Sequence, residues 1–519
     1  MYSMVLTAVL MGMQSIPVRV EADVSDGMPV FEMVGCLSAE AKEARERVRT
    51  ALRNEGYALP AKRITINLFP ASVRKPGASY DLPIALAVLA ALGGIPGELL
   101  KGLLVMGEIN LSGRILPVKG ILPVVAWARK EGIACCVVPA DNQEEARLVD
   151  GIQVVGVSCL AEVIAWLKTG KTARCGTEMA ECKEGGSSSG ICRAHEEAEP
   201  DFRELNGQKF VRRACEVAVS GRHNFLMVGP PGAGKTMIAK RIPSILPPMT
   251  GEEQLEVAGI YSVRGILGKE LVRTRPFRSP HHTITAQGMA GGGALPQPGE
   301  ISLAHRGVLF LDELPEFRRE TLEILRQPLE EQRVRLARKS GSYEFPADFM
   351  LVCAMNPCRC GYYPDMQQCG CTRAMIEQYQ KKISMPILDR MDICVETKRV
   401  AYQELVCGEA ENESSDAIRG RVQAAYEIQR IRYEGTDICY NSRIPSDKIA
   451  QYCPLDLKQQ HYMEQIYAKL HLTARSYHKL LKVARTIADM DGQERIQMRH
   501  LREAVCYRSL DQSFWEVPR

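Results

Sequence analysis

The sequence predicts an α/β protein: two regions in which strands and helices alternate, followed by a region of helices. Three observations predict it. Short runs that alternate apolar and polar residues recur between stretches of helical spacing from residue 1 to about residue 400. One apolar run, 224–228 (NFLMV), passes straight into the glycine-rich turn Gly229-Pro230-Pro231-Gly232-Ala233-Gly234-Lys235-Thr236 and then into a helical stretch, 237–241. Over 401–519 the apolar spacing is helical, apart from a charged loop at 408–415. Of the 519 residues, 45% are hydrophobic and 25% charged, which is globular composition and excludes a mostly disordered, collagen-like or polytopic membrane chain. Net charge is only +4, so any nucleic-acid contact has to come from local basic clusters.

The elements follow in order. Residues 1–21 are apolar but lack a basic start and a small-residue cleavage site, so they read as a first strand and not as a signal peptide. The run 18–25 alternates in the strand manner. The run 38–53 opens on a Ser cap and has helical spacing. Another strand is expected at 63–68, and a buried helix at 81–92. The longest apolar run, 82–94, is too short to cross a bilayer. Short strands at 103–106, 134–138 and 152–157 complete an α/β domain over 1–170. Residues 171–200, with Gly-Gly-Ser-Ser-Ser-Gly and an acidic end, read as a flexible linker. The 18 cysteines in so long a chain are not a disulfide scaffold, and the expected location is the cytoplasm, where thiols stay reduced. No membrane contact and no internal repeat is expected.

The turn 229–236 fits G-x4-G-K-[ST] at every fixed position. Its glycines let backbone N–H groups face phosphate oxygens, Lys235 places a charge at the β/γ-phosphates, and Thr236 can ligate Mg²⁺. The run 307–313 (GVLFLDE) reads as a buried parallel strand ending in two carboxylates. Asp312 is expected on the Mg²⁺ side and Glu313 on the attacking water. A third strand, 349–355, ends at Asn356, which either holds that water from the other side or simply forms a turn before Pro357.

Together with Arg275-Pro-Phe-Arg-Ser-Pro-His-His282, Gly291-Gly-Gly293, Pro298-Gly-Glu-Ile-Ser-Leu-Ala-His305 and 307–317 (GVLFLDELPEF), these motifs resemble the magnesium-chelatase-like AAA+ ATPases of the ComM/YifB family over nearly the whole chain. The resemblance implies an AAA+ core over 201–400, a helical lid domain over 401–519, and ATP with Mg²⁺. It further implies that Gln208, in 202–208 (FRELNGQ), lines the adenine pocket. Arg390, in Leu388-Asp-Arg-Met-Asp392, would be an arginine finger reaching a neighbour's nucleotide, and Arg475 the lid sensor arginine. A finger supplied in trans implies a homo-oligomeric ring, a hexamer in most relatives. Residues 1–170 resemble the proteolytic domain of Lon-type proteases, most clearly in 106–120 (MGEINLSGRILPVKG). That chemistry needs a Ser and an activating Lys. Ungapped alignment places the Ser position on Ser79 and the Lys position on Leu122, so the dyad is incomplete. Lys119 is the alternative base. An assembly or substrate-contact collar is the expected role.

Cys358, Cys360, Cys369 and Cys371 supply four thiolates from two short turns: a tetrahedral Zn²⁺ site, or free thiols or a redox pair. Cys175, Cys182, Cys192 and His195 are a weaker second set. His281 and His282, as chain neighbours, are expected to point apart and to serve as structural or substrate-loop residues. The segment 333–346 reads as a β-hairpin made basic by Arg333, Arg335, Arg338 and Lys339. It is either a pore hairpin that tracks DNA phosphates without reading sequence or a solvated surface. Residues 288–293 read as a second mobile loop. The family resemblance implies a DNA branch-migration helicase of recombination or natural transformation, acting on branched or single-stranded DNA. The alternatives are a chelatase-type or protein-remodelling ATPase and a Lon-like ATP-dependent protease.

Overall fold

The computed structural model describes residues 1–170, 200–268, 272–338, 341–400 and 412–508. The expected linker cysteines Cys175, Cys182 and Cys192, with His195 and Lys339, lie outside the described residues. No helix among the described residues is long and apolar enough to cross a membrane.

The N-terminal unit is built on a seven-stranded sheet. The segment expected as one first strand is a hairpin, Tyr2–Met11 against Gln14–Ser25, paired from Tyr2↔Asp23 to Met11↔Gln14. Gly12 takes φ +68° in the turn, a conformation that costs a side-chain-bearing residue about 1–2 kcal/mol. The sheet continues through Arg63–Phe69 and Val30–Val34 on one side, and through Leu103–Val105, Cys135–Pro139 and Gln153–Val157 on the other. Helix Ala39–Asn54 starts where the Ser38 side chain accepts the Ala41 N–H, and buries Ala41, Ala44, Val48, Ala51 and Leu52 at helical spacing. Helix Asp81–Ala91 is apolar on every side and packs against the first hairpin. Its buried Asp81 takes a bidentate bond from Arg47 (Nε to Oδ2 2.7 Å, Nη2 to Oδ1 3.0 Å), which joins the two helices.

The second unit holds a five-stranded, all-parallel sheet in the order Phe277–Arg278, Val308–Leu311, Met350–Met355, Phe225–Val228, Ile393–Glu396. Its three inner strands are continuous apolar runs because both faces are covered. Alternate residues divide between two cores. Phe225, Met227, Val308, Phe310, Met350 and Val352 face helices Lys209–Gly221 and Lys235–Ile245. Leu226, Val228, Leu309, Leu311, Leu351 and Cys353 face the other side. The C-terminal helices Ser415–Arg432, Ala474–Met490 and Met498–Cys506 contribute Ile418, Val422, Leu480, Ile487 and Leu501 to the first of these cores, so they share one apolar interior with the sheet. At the amino end of the central strand Asp348 is fully paired: Arg222, Arg306 and Arg443 lie 3.3, 3.0 and 2.9 Å away. Burial alone would push its carboxyl up, but the guanidiniums outweigh burial and hold it well below the usual carboxylate range.

The segment expected to be a mobile loop at 288–293 is packed. Met289 is buried within helix Ala286–Ala290, and Gly291 pairs with Pro298 so closely that a Cβ there would lie 2.3 Å from the Gln297 carbonyl.

The two units meet along helix Gly251–Arg264. The Gly120 N–H donates to the Ser262 carbonyl at 3.1 Å, the Leu122 N–H to Ser262 Oγ at 3.3 Å, and Ala258 joins the same apolar cluster as Ile121 and Leu122. A second contact lies at the hairpin Arg333–Arg338/Gly341–Pro346. The Met13 N–H reaches the Glu344 carbonyl at 3.4 Å, and a Cβ on Gly12 would meet that oxygen at 2.5 Å. Gly12→Ala is therefore expected to cost about 1–3 kcal/mol and lower the thermal midpoint by several degrees. An unchanged midpoint would contradict a tight seat for this turn.

Candidate nucleotide site

Strand Phe225–Val228 lies between Met350–Met355 and Ile393–Glu396, so its exit loop is flanked by two other strand ends. Gly229 is forced by that position: a Cβ there would stand 2.1 Å from Thr397 Oγ1, while the Thr397 N–H bonds the Val228 carbonyl at 2.7 Å. Gly232 and Gly234 take φ +77° and +79°, and a Cβ on either would meet no protein atom within 4 Å. The curled loop thus presents an open inner face of backbone N–H groups, followed at once by the amino end of helix Lys235–Ile245. This is a cradle suited to an anion.

Lys235 reaches back over the loop. Its Nζ donates to the carbonyls of Gly229 (2.7 Å) and Pro230 (2.9 Å) and to Asn356 Oδ1 (3.1 Å). Burial pulls its pKa down to about 8, only partly opposed by the Asp312 carboxylate. Thr236 Oγ1 donates to Asp312 Oδ2 at 2.6 Å, which puts a hydroxyl and a carboxylate, both hard oxygen ligands of the kind Mg²⁺ takes, on facing loops. Glu313, held at φ +52°, donates its backbone N–H to Asp312 Oδ1 at 2.9 Å and leaves its own carboxylate exposed. Gln208, at φ +56°, spans from the Ala233 carbonyl (3.4 Å) to the Lys398 carbonyl, on the side of the loop away from Asp312. Lys235, Thr236, Asp312, Asn356 and Gln208 are thus gathered around the loop 229–236, with Glu313 beside Asp312.

Sequence reasoning missed several partners. His282 Nδ1 lies 3.4 Å from Glu313 Oε2. The expectation that His281 and His282 point apart fails, because their rings lie 4.0 Å apart and tilted by 34°. Strand Phe277–Arg278 borders Val308–Leu311, so the loop after it has to meet Asp312–Glu313. That adjacency is the signal that could have found His282. Arg390 and Arg475 are brought to each other and not to the loop of their own chain: both donate to Glu330 Oε1, at 2.7 and 2.6 Å. Arg390 is nearly buried and also donates to the Pro386 carbonyl at 2.6 Å, while Arg475 is half exposed. The hairpin 333–346 is less basic than its arginines suggest. Arg333 pairs with Glu344 at 2.7 Å, and Arg335 with Glu331 and Glu344 at 3.1 and 3.2 Å.

At the Lon-like positions, the Ser79 backbone carbonyl accepts the Gly107 N–H at 3.1 Å, and Leu122 is buried at the seam between the units. The Lys119 methylenes lie against Gly265 at that same seam. The sulfurs of Cys358, Cys360, Cys369 and Cys371 lie within 4.8 Å of one another, a cluster that could hold a metal.

The family model described as "Magnesium chelatase, subunit ChlI" matches residues 201–405, "Subunit ChlI of Mg-chelatase" matches 20–142, and "Magnesium chelatase, subunit ChlI C-terminal" matches 412–508. The chain is 40% identical to protein YifB of Escherichia coli K12 over 510 residues, covering 98% of this chain and 97% of that one. It is 38% identical to competence protein ComM of Haemophilus influenzae over 501 residues, 96% of each chain. It is 30% identical to Lon protease 2 of Bacillus subtilis over 125 residues, 24% of this chain and 22% of that one.

The Lys235 environment generates a pH prediction. A bound phosphate favours the ammonium form, so binding takes up a proton once the free amine begins to titrate. Nucleotide affinity is expected to be level below about pH 7.5 and to fall by up to about tenfold per unit above pH 8. Titrating mant-ADP across that range tests this, with Lys235→Arg expected to remove the falling limb. A level profile up to pH 9.5 in the unaltered chain would contradict it.

Proposed function

The chain belongs to the magnesium-chelatase-like ComM/YifB family of ATPases, and from that premise we propose a ring-forming AAA+ ATPase that couples ATP hydrolysis to translocation on DNA, as a branch-migration helicase in recombination or natural transformation. The observation that carries the ATPase half is the convergence of Lys235, Thr236, Asp312 and Asn356 on the loop 229–236. In this reading the loop N–H groups and Lys235 hold the β- and γ-phosphates, and Gln208 borders the base. Thr236 and Asp312 would hold Mg²⁺, which neutralises phosphate charge when bound. Glu313 orients the attacking water and accepts its proton, and Asn356 fixes Lys235. Arg390 and Arg475 serve a neighbour's nucleotide. Their shared attachment to one exposed carboxylate, Glu330, supports this, since an incoming phosphate can compete for both guanidiniums. The remaining cofactor of the reading is Zn²⁺ on Cys358, Cys360, Cys369 and Cys371.

DNA as substrate is supported by the likeness to a competence protein and by the arginines of the hairpin 333–346. The pairing of Arg333 and Arg335 with Glu331 and Glu344 favours a second reading, a chelatase-type or protein-remodelling ATPase whose hairpin meets protein. The placement of Leu122 and Lys119 in the interdomain seam stands against a Lon-like protease.

The ATPase rate measured without DNA, with single strand, with duplex and with a four-way junction separates these readings. The helicase reading expects the junction to raise the rate several-fold, and Glu313→Gln to lower kcat by about 100-fold or more. An ATPase that is active but indifferent to every DNA would overturn the helicase half and leave the remodelling reading.

A further inference from the structure

Residues 356–372 connect strand Met350–Met355 to helix Arg373–Gln380 without any helix or strand of their own. A loop of this length inside a compact unit needs something to order it. Its apolar content does not suffice. Cys358, Tyr363, Cys369, Cys371 and Ile376 form a small cluster separate from the main cores, with the half-buried Cys360 packed against it. A cluster this small holds a fold only when cross-linked.

The sulfur geometry names the cross-link. Sγ–Sγ separations are 3.3 Å for Cys358–Cys360, 3.7 Å for Cys358–Cys369 and 3.5 Å for Cys360–Cys369, with Cys371 in the same group. Four thiolates at Zn–S distances of about 2.3 Å define a tetrahedron with edges of about 3.8 Å. The backbone N–H groups of Gly361 and Tyr363 both point at Cys358 Sγ, at 3.3 and 3.5 Å, and orient that sulfur as an outer-shell partner does in a metal site. Gly361 takes φ +88°, which makes the return of the chain onto its own sulfur possible.

The same loop is a wall of the nucleotide site. Gly361 lies so close to the loop 229–236 that a Cβ on it would stand 2.5 Å from Pro231 Cδ. Asn356, at the start of the loop, accepts from Lys235. The ring of Tyr362 lies under the Arg399 guanidinium at 5.0 Å, and the carbonyl of the preceding residue, Lys398, accepts from Gln208. The loop therefore touches the phosphate side of the cradle and, through Arg399, adjoins the segment that meets Gln208. We infer that Cys358, Cys360, Cys369 and Cys371 hold a structural zinc ion, and that this zinc-closed loop props the nucleotide cradle so that metal loading sets ATP affinity. This rests on the ATPase reading above.

The test uses the full chain. Zinc is counted by mercurial release into a chromogenic chelator, and mant-ADP is titrated against the zinc-loaded, stripped and zinc-restored protein. The expected result is one zinc per chain, a loss of about tenfold or more in mant-ADP affinity on stripping, and recovery with Zn²⁺ but not with Mg²⁺ alone. A chain purified without zinc that takes none up overturns the metal site. Zinc that leaves without changing the affinity overturns the coupling. Zinc present at one per chain with no mant-ADP binding overturns the nucleotide reading and, with it, the coupling, while the zinc site stands. Because stripping can unfold the loop, Tyr362→Ala is measured beside it. It is expected to keep its zinc yet lose about threefold or more in affinity through the lost Arg399 contact. Full affinity with zinc retained would overturn the wall role.

Discussion

The parallel register of one five-stranded sheet is the constraint on which the site depends. Val228 pairs with Met355, and Leu311 with Cys353. That register sets the loop after Val228 beside Asn356, with the Gly229 N–H on the Met355 carbonyl at 3.2 Å. It also brings Asp312 level with Thr236. A slip of one residue in any of these strands would send its buried side chains to the wrong core and its terminal polar group away from the cradle. The apolar strands Val308–Leu311 and Met350–Met355 resist that slip because every residue in them is buried. The chemistry at the carboxyl ends of these strands is held by packing on both faces.

What could be read from the sequence follows from how local each signal is. The loop 229–236, the carboxylate pair at 312–313 and Asn356 are contiguous with the strands that carry them, so spacing alone locates them. The helix cap at Ser38 and the buried helix at 81–92 are local in the same way. The partners that tune the site are not. Glu330 meets Arg390 from 60 residues away and Arg475 from 145, and nothing in the run around Glu330 distinguishes it from other surface acids. The neutralising role of Glu344 in the basic hairpin emerges only from strand pairing, which puts it opposite Arg335. The hairpin turn at Gly12 was hidden because the apolar run continues through it. The sharing of one core by the C-terminal helices and the sheet is a tertiary choice that helical periodicity does not encode.

In the N-terminal unit, the positions that align with the Lon Ser and Lys serve packing and the contact between units. The residue at the Lon Lys position, Leu122, is spent on apolar packing against helix Gly251–Arg264, and Lys119 lies along the same helix's end. The turn at Gly12 rests on the hairpin that begins just after Glu330. One continuous path of contacts thus runs from the N-terminal sheet, through the hairpin, to the carboxylate that holds Arg390 and Arg475.

The most direct test of this account is a cryo-EM reconstruction of Glu313→Gln with ATP and Mg²⁺. The account predicts a closed ring with phosphates in the loop 229–236, and with Arg390 and Arg475 drawn off Glu330 to hydrogen-bonding distance of the neighbouring subunit's nucleotide. A nucleotide-loaded ring in which both arginines remain on their own Glu330 would contradict it.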